Sequence, residues 1–475
     1  MSQSQAPALT WTTTERESLF TAIARHRRAA ARVRLISDAC ALALALVVAV
    51  LMSPIFYAVL GLALDLLNFL IPMPNLIGTI TDTVSALIDD PTVISAGRWI
   101  YLLVVAALPG LALMTLAIRS LGRVIREAMS GDAATFTTRA PNGTVLSEQR
   151  FVNVVAEMAI AAGLTAPRVL VADTDAVNAA AFGGDAAHAS IVVTTGLLAE
   201  LNREELQGVA ADVVGAIANG DMTIGVRVAT ILSTFGLVAK LGDSFANREA
   251  ARRFLRLLRN SWRHGASCDD GELTMVLTNP FESAPVVPDV LADDKKIPWR
   301  TFAWMPLVGP LVISGFFGGV LCAFALGPLL SLSWRQRRYL ADATAVQLTR
   351  DPNILGSALE KMRGTPVQGA FSAWIAHLCV MPSGLIGAKS IFGGSSVPMA
   401  PSLDRRLKAL GILGAQVAPR SGRQLPFIAW CVLAPVLALI AGLMSVVVVG
   451  LLYISVALSG MFTWLPVVIL HALLR

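Results

Sequence analysis

Residues 205–222 read ELQGVAADVVGAIANGDM, and this stretch predicts the amphipathic helix around which the globular part of the chain is built. Its apolar residues recur at intervals of three and four, the spacing of one helix face. They are Leu206, Val209, Ala210, Val213, Val214 and Ile217. Asn202 precedes the helix and Glu205 follows three residues later, which is a capping-box pattern. Asn219–Gly220 predicts the end of the helix.

The composition of the chain indicates a membrane protein. Of its 475 residues, 55% are apolar and 15% are charged, whereas soluble domains carry roughly 25% charged residues. The net charge of +6 is scattered, without a basic stripe that carries interleaved aromatic side chains, so we predict no nucleic-acid partner. The five cysteines form no C-x-x-C pair, and this argues against a zinc knuckle or a disulfide framework.

Five apolar runs predict the membrane segments. They are 39–61, 99–118, 224–241, 303–332 and 425–474. Because a spanning helix needs about 20 apolar residues, we predict one span each for 39–61, 99–118 and 303–332, and two for 425–474. Arg227 and Lys240 leave two interpretations of 224–241 open, a span or a buried or interfacial helix.

The placement of arginine predicts the orientation of these segments. Arginines precede the first span and follow the second, whereas the loop 62–98 carries four aspartates and one arginine. We therefore expect a multi-pass protein of a bacterial-type inner membrane, in contact with membrane lipid. Its globular part faces the cytoplasm, and we predict no small-molecule cofactor.

The pattern divides the chain into six parts and predicts a mainly α membrane protein. The strands are predicted at 167–173 and 190–195, and a second helix at 335–349. The six parts are a cytoplasmic N-terminal arm (1–38), two transmembrane helices with an external loop (39–118), the first part of the globular domain (119–223), hydrophobic helices with an intervening flexible loop (224–332), the second part of the globular domain (333–412) and a C-terminal membrane hairpin (413–475).

Five motifs, in the same order along the chain, resemble the HtpX-like membrane zinc metallopeptidases, which are related to the CAAX prenyl proteases. They are NVVAEMAIAAGL (153–164), VNAAAFGG (177–184), IVVTTGLLAELNREELQGV (191–209), RQRRYLADATAVQLTRDP (335–352) and PSLDRRLKAL (401–410). The resemblance covers about residues 145–410. It implies a gluzincin-like α+β peptidase-type domain beside the multi-span helices, and protein quality control as the biological setting.

The zinc chemistry of that family depends on residue types that this chain lacks. In the family, H-E-x-x-H on one helix supplies two histidine ligands and a glutamate general base, and a glutamate of a second helix completes the site. The corresponding positions here are Asp212 and Ala216 for the histidines, Val213 for the general base and Arg338 for the glutamate ligand. The resemblance therefore implies a degenerate member, without the family's zinc and without its catalytic groups.

Two hypotheses follow for the altered site. We predict an ion pair between Asp212 and Arg338, with Asp342 as a second partner one turn away; the alternative is a set of separate, solvated substitutions. The resemblance also implies that the strand with Asn178 and Ala179 is a sheet edge that pairs with peptide backbone, which needs no catalytic residue. Its alternative is an ordinary covered strand.

The sequence leaves three functions open. The favoured one is a proteolytically inactive membrane pseudopeptidase that binds or regulates protein or peptide partners. The others are an active membrane metalloendopeptidase with non-standard ligands and a purely structural membrane component.

Overall fold

A computed structural model describes residues 18–68, 96–130, 138–231, 327–363, 378–381 and 401–417, together with a few single residues between 71 and 259. Several predicted features lie outside the described residues. They are the start of the N-terminal arm (1–17), most of the external loop, the flexible loop at 264–298, the apolar run up to residue 326 and the C-terminal hairpin from residue 418 onwards.

The described part combines helices with one small sheet. The helices are α1 (Leu19–Asn68), α2 (Ala96–Ser130), α3 (Leu146–Ala161), α4 (Thr195–Glu200), α5 (Arg203–Ala218), α6 (Asp221–Ile231), α7 (Gly327–Thr349), α8 (Pro352–Lys361) and α9 (Leu403–Ile412). The strands are β1 (Thr138–Arg139), β2 (Arg168–Ala172), β3 (Ala179–Phe182) and β4 (Ser190–Thr194). The predicted strands and the second helix therefore form at the predicted places.

The sheet has the strand order β1-β2-β4-β3. β2 and β4 run parallel, while β1 pairs antiparallel with β2 and β3 pairs antiparallel with β4. β3 consequently forms one outer edge of the sheet. The alternation that is usual for a half-exposed strand is absent from β3, because all four of its residues are buried.

The amphipathic helix predicted from residues 205–222 is α5, and its predicted ends are confirmed. The Asn202 side chain accepts a hydrogen bond from the Glu205 amide at 2.9 Å, and the Glu205 carboxylate accepts one from the Asn202 amide at 2.9 Å. At the other end Gly220 has a φ of +75°, a conformation that costs glycine little and that ends a helix.

α5 lies at the centre of the globular part and packs against α3, α7, α8 and β3. All but a few of its residues are buried, including the predicted apolar face. The approach to α7 is close at Gly215, where a Cβ atom would lie 3.2 Å from the side chain of Thr344. A Cβ atom here would require the Thr344 side chain to shift by a few tenths of an ångström, so this glycine helps α5 and α7 to approach closely.

The predicted first two membrane runs lie within helices. Residues 39–61 are part of α1 and residues 99–118 are part of α2, and these two helices pack against each other. Among the described residues no single helix is long and apolar enough to cross a membrane, although α5 and α6, which are bent by 69° relative to each other, pass that test as a pair. The crossing of the bilayer by 39–61 and 99–118 stays a prediction.

Candidate functional site

Asp212 and Arg338 meet across the interface between α5 and α7. The Arg338 Nη2 atom donates a hydrogen bond to Asp212 Oδ2 at 2.6 Å. The side chain of Asp212 is 0% exposed and that of Arg338 is 2% exposed, so the pair is withdrawn from solvent. The two positions that would hold ligands of one zinc ion thus carry opposite charges in direct contact.

The structure differs from the sequence expectation on the second partner. Asp342 does not bind Arg338 one turn away; it accepts three hydrogen bonds from Arg406 of α9, two from Nε and one from Nη2, and the one from Nη2 is the shortest at 2.6 Å. Arg406 Nη2 also lies 3.4 Å from Asp212 Oδ2. Arg338 and Asp342 therefore each find a partner on another element, and these contacts tie α7 to α5 and to α9.

Asp212, Arg338, Asp342 and Arg406 together form what we call the four-charge cluster. Two carboxylates and two guanidinium groups give it no net charge, and every member is at most 2% exposed. Burial raises the pKa of the Asp212 carboxyl above its ordinary value, although the nearby Arg338 and Arg406 act in the opposite direction. Burial also acts against the charge of Arg406, but its two aspartate partners outweigh this and raise its pKa.

Hydrogen bonding within the cluster is incomplete. Asp212 Oδ1 and Arg338 Nε are buried and have no hydrogen-bond partner among the described residues. An unsatisfied buried polar atom is costly, so burying these charged groups is by itself unfavourable to the folded state. Its strength must come from the short contacts between opposite charges.

A second buried ion pair supports the same interface. Arg337 of α7 donates to the carboxylate of Asp221 and to the backbone carbonyl of Asn219, at the junction of α5 and α6. The Asn219 amide also donates to Thr344 Oγ1 at 3.0 Å. Burial raises the pKa of Asp221 to about 6, against the opposing influence of Arg337. α7 is thus tied to α5 at both Asp212 and the Asn219–Asp221 turn.

The edge strand that was predicted to accept peptides is β3, and residues 378–381 of this chain lie along it. Ala180 and Cys379 form an antiparallel bridge, and the Val380 amide donates to the Ala179 carbonyl at 2.8 Å. The Asn178 side chain contacts both backbone groups of Met381, donating to its carbonyl at 2.6 Å and accepting from its amide at 3.0 Å. The outer edge of β3 is therefore covered at these residues.

The site and the covered edge are adjacent, because Arg406 joins them. Its Nη1 atom donates to the Val380 carbonyl at 2.6 Å while its other nitrogens bind Asp342. The thiol of Cys379 is buried next to the cluster, and burial raises its pKa to about 12. A protonated thiol at neutral pH is a poor nucleophile, so this cysteine does not offer the site an alternative catalytic group.

The residues at the site do not fit a zinc ion. A catalytic zinc site needs three protein donors around an open position; here Val213 and Ala216 carry no donor atom, and the Arg338 guanidinium is bound to the one carboxylate on α5 that faces it. The positive charge of Arg338 would repel a cation at this point. No group of three histidine, cysteine, aspartate or glutamate side chains able to hold a metal is formed within the described ranges.

The family model for peptidase family M48 matches residues 146–411 of the chain. This match spans more than half of the sequence and contains α3, α5, α7 and α9 together with the sheet from β2 onwards. The chain belongs to peptidase family M48. The resemblance to HtpX-like peptidases that the five motifs carry is thereby confirmed at the level of the family.

Three curated relatives, each named "Protease HtpX homolog", show the extent of the similarity. The protein of Thermoanaerobacter pseudethanolicus is 32% identical over 216 residues, which are 44% of this chain and 55% of the relative. That of Caldanaerobacter subterraneus subsp. tengcongensis is 32% identical over 268 residues, 55% of this chain and 71% of the relative. That of Tropheryma whipplei is 31% identical over 292 residues, 60% of this chain and 81% of the relative. The chain thus spans little more than half the length of the first. No solved structure matches it.

Sequence reasoning missed Arg406 and residues 378–381. A signal for Arg406 exists, since it shares one face of α9 with Leu403, Leu407 and Leu410 at helical spacing. An arginine on an apolar face is buried only with a partner. Residues 378–381 gave no such signal, because their contacts are made through backbone groups.

Proposed function

We propose that this chain is a membrane pseudopeptidase, an M48 domain without zinc-dependent proteolysis that binds or regulates protein partners. The observation that carries the proposal is the contact between Arg338 and Asp212 at the position of the family's metal site. A guanidinium that is 2% exposed and 2.6 Å from a carboxylate leaves no room there for a divalent cation and its ligands.

The loss of the general base supports the same proposal. Val213 takes the place of the glutamate that would activate a water molecule, and its side chain is buried and apolar. A general base must lie within hydrogen-bond reach of the proton that it removes. The aspartates nearest to this position are both occupied by arginine, and the Cys379 thiol is protonated at neutral pH. Among the residues that the structure describes, the site therefore contains no group suited to activate water.

The retained packing supports a role through binding. α5 keeps its caps and its apolar face, α7 keeps its contacts with α5, and α9 closes the cluster. Such a domain has lost its catalytic groups, but its buried four-charge cluster has no net charge and its helices stay packed. The shape of its surface is therefore kept although its chemistry is lost. We therefore propose a role through binding, with the domain on the cytoplasmic side of an inner membrane, in contact with lipid through α1 and α2, and in protein quality control.

The test compares proteolysis by this chain with proteolysis by its relative from Caldanaerobacter, which is named a protease. Both proteins are expressed at full length, purified in the same detergent with ZnCl₂ and incubated with fluorescently labelled casein. We expect cleavage by the relative alone. Cleavage of casein by this chain, at a rate that a zinc chelator abolishes, would overturn the proposal.

The binding role is tested with the same two proteins. Each carries the same affinity tag and is isolated from the membranes of one host after mild cross-linking, and co-purified proteins are quantified by mass spectrometry. We expect a small set of proteins that is enriched in stoichiometric amount with this chain and depleted with the relative. Recovery of the chain without any such protein would contradict the role in binding.

A further inference from the structure

We propose that a cavity between α1, α2 and α6 is a binding site for one anionic phospholipid, whose phosphate is held by arginine side chains and whose acyl chains lie on apolar side chains. The cavity has a volume of about 960 Å³, within the range of cavities that hold small ligands in proteins. The inference rests on the membrane location that is proposed above, and not on the loss of the zinc site. It goes beyond the general contact of α1 and α2 with lipid, because it names one site and one chemical class of lipid.

The cavity lies where the apolar segments of two helices end. On α1, Asp38 lines it directly before the apolar run 39–61, and on α2, Arg119 lines it directly after the run 99–118. In the proposed membrane location, this is the level of the headgroups on the cytoplasmic side. A phospholipid headgroup is therefore the anionic group that this cavity meets.

The cavity carries an excess of positive charge. Its charged lining residues are Arg119, Arg123, Arg126 and Arg227, against Asp38 and Glu127, which leaves two positive charges more than negative ones. The three arginines of α2 are spaced at i, i+4 and i+7, so they lie on one face of the helix, and all three are exposed. The charge of the lining thus complements the negative charge of an anionic lipid.

Two of these arginines are available to a ligand. Arg227 of α6 is paired with Asp38 of α1, with Nη2 3.1 Å from Oδ2. Among the residues that the structure describes, neither Arg119 nor Arg123 has an ion-pair partner. A guanidinium presents a planar fork of N–H donors that matches the geometry of phosphate oxygens. Arg119 and Arg123, one turn apart, are therefore the groups that we assign to the phosphate.

The remaining lining is mostly apolar, and part of it is exposed. The side chain of Leu42 is 69% exposed and that of Ile118 is 38% exposed, and Met114 and Val226 line the same cavity. Large apolar side chains that are exposed beside polar ones mark interaction sites. A free inorganic anion would leave these side chains uncovered, whereas acyl chains cover them. The combined lining therefore fits an amphiphile with a negative headgroup better than it fits an inorganic anion.

Arginines also occur at the cytoplasmic ends of membrane spans without any ligand, so the test needs a control with the same change in charge. Arg119→Gln combined with Arg123→Gln removes both proposed phosphate ligands from exposed positions, where substitution has little effect on folding. The matched control combines Arg27→Gln with Arg28→Gln on α1, where both side chains are also exposed. These positions precede Asp38 by at least ten residues, or about 15 Å along the helix, which exceeds the Debye length of about 10 Å at 0.1 M salt.

Binding is measured by native mass spectrometry of the full-length chain in a neutral detergent at about 0.1 M salt. The probes are phosphatidylglycerol, phosphatidylcholine with the same acyl chains, and inorganic phosphate. We expect one tightly bound phosphatidylglycerol per chain, weaker binding of phosphatidylcholine and no retained inorganic phosphate. The Arg119→Gln/Arg123→Gln variant should bind phosphatidylglycerol about thirtyfold more weakly, because each arginine near an anionic headgroup contributes about a fivefold change in affinity. The control variant should bind as the wild type does.

Equal affinities of the wild type for the two lipids would overturn the inference, and this comparison does not depend on any variant. An unchanged affinity in the Arg119→Gln/Arg123→Gln variant, or an equal loss in the control variant, would overturn it as well. Retention of inorganic phosphate as tightly as the lipid would also overturn it, because the apolar wall would then contribute nothing.

The casein assay on the same preparations separates this inference from the proposed function. Cleavage of casein by a preparation that binds phosphatidylglycerol as expected would refute the proposed function alone. A preparation that cleaves no casein and does not discriminate between the two lipids would refute the inference alone.

Discussion

Replacing Asp212 with alanine should destabilise the protein more than replacing Arg338. Asp212→Ala leaves the buried Arg338 without its ion-pair partner, and an uncompensated buried charge costs about 3–5 kcal/mol. Arg338→Ala leaves Asp212 with Arg406 3.4 Å away, so we expect a smaller loss of about 1–3 kcal/mol. The difference between the two losses of stability follows from the position of Arg406, which contacts both Asp212 and Asp342.

The double variant distinguishes a working ion pair from two independent substitutions. With both side chains removed, Arg406 and Asp342 remain as a neutral buried pair. We expect the double variant to lose no more stability than Asp212→Ala alone, which gives a coupling energy of about 1–3 kcal/mol. The matched control is Arg203→Ala, which breaks an exposed ion pair with Glu157 and should cost less than about 1 kcal/mol.

The assay is thermal unfolding of the full-length chain in detergent, followed by circular dichroism. For a domain of this size, about 1 kcal/mol corresponds to a change of about 2–4 °C in Tm. Asp212→Ala should therefore lower the Tm by roughly 6–20 °C and Arg203→Ala by a few degrees at most. Strictly additive losses in the two single variants and the double variant would refute the reasoning, because additivity means that Asp212 and Arg338 do not interact.

Three further changes test other parts of the site. Arg406→Lys should lower the Tm nearly as much as Arg406→Ala, because one ammonium cannot reproduce the forked contacts with Asp342 and Val380; a Tm close to that of the wild type would contradict this. Burial raises the pKa of Asp221 to about 6 in the folded protein, from the ordinary value of 3.8 for an aspartate. The folded state therefore holds the extra proton, and stability contributed by this group falls as the pH rises from about 4 to 6, by roughly 3 kcal/mol in total. Asp221→Asn should remove that part of the pH dependence, measured as Tm against pH for both proteins, and an unchanged difference between pH 4 and pH 7 would contradict it. Combining Asp212→His, Val213→Glu, Ala216→His and Arg338→Glu should create zinc binding, because positions 212 and 216 are one turn apart on α5 and position 338 faces 212; the same fourfold variant without bound zinc, although folded by circular dichroism, would show that more than the ligands has changed.

Local sequence signals predicted the scaffold well. Asn202 and Glu205 fixed the start of α5, and Gly220 marked its end, since capping and a positive φ depend on neighbouring residues alone. The strands at 168–172 and 190–194 follow from short apolar runs with turn residues on both sides. These features are encoded within a few residues, so a single sequence suffices to find them.

The tertiary partners were harder to predict. Asp342 was expected to bind Arg338 because the two are one turn apart, but each finds a partner on another element. The contact between β3 and residues 378–381 joins parts of the chain about 200 positions apart through backbone groups. No residue type in the sequence predicts such a contact. Of these tertiary partners, only Arg406 is indicated by the sequence, because it is a charged residue on the apolar face of α9.

The most direct test of the central claim, that the four-charge cluster stands in place of the family's zinc, is the metal content of the folded protein. Full-length chain is purified in detergent with excess ZnCl₂, dialysed, and analysed by mass spectrometry of the metal, with the relative from Caldanaerobacter treated identically. We predict no stoichiometric zinc in this chain and the same Tm before and after treatment with a chelator. One zinc per chain, with a Tm that falls when the chelator removes it, would contradict the account.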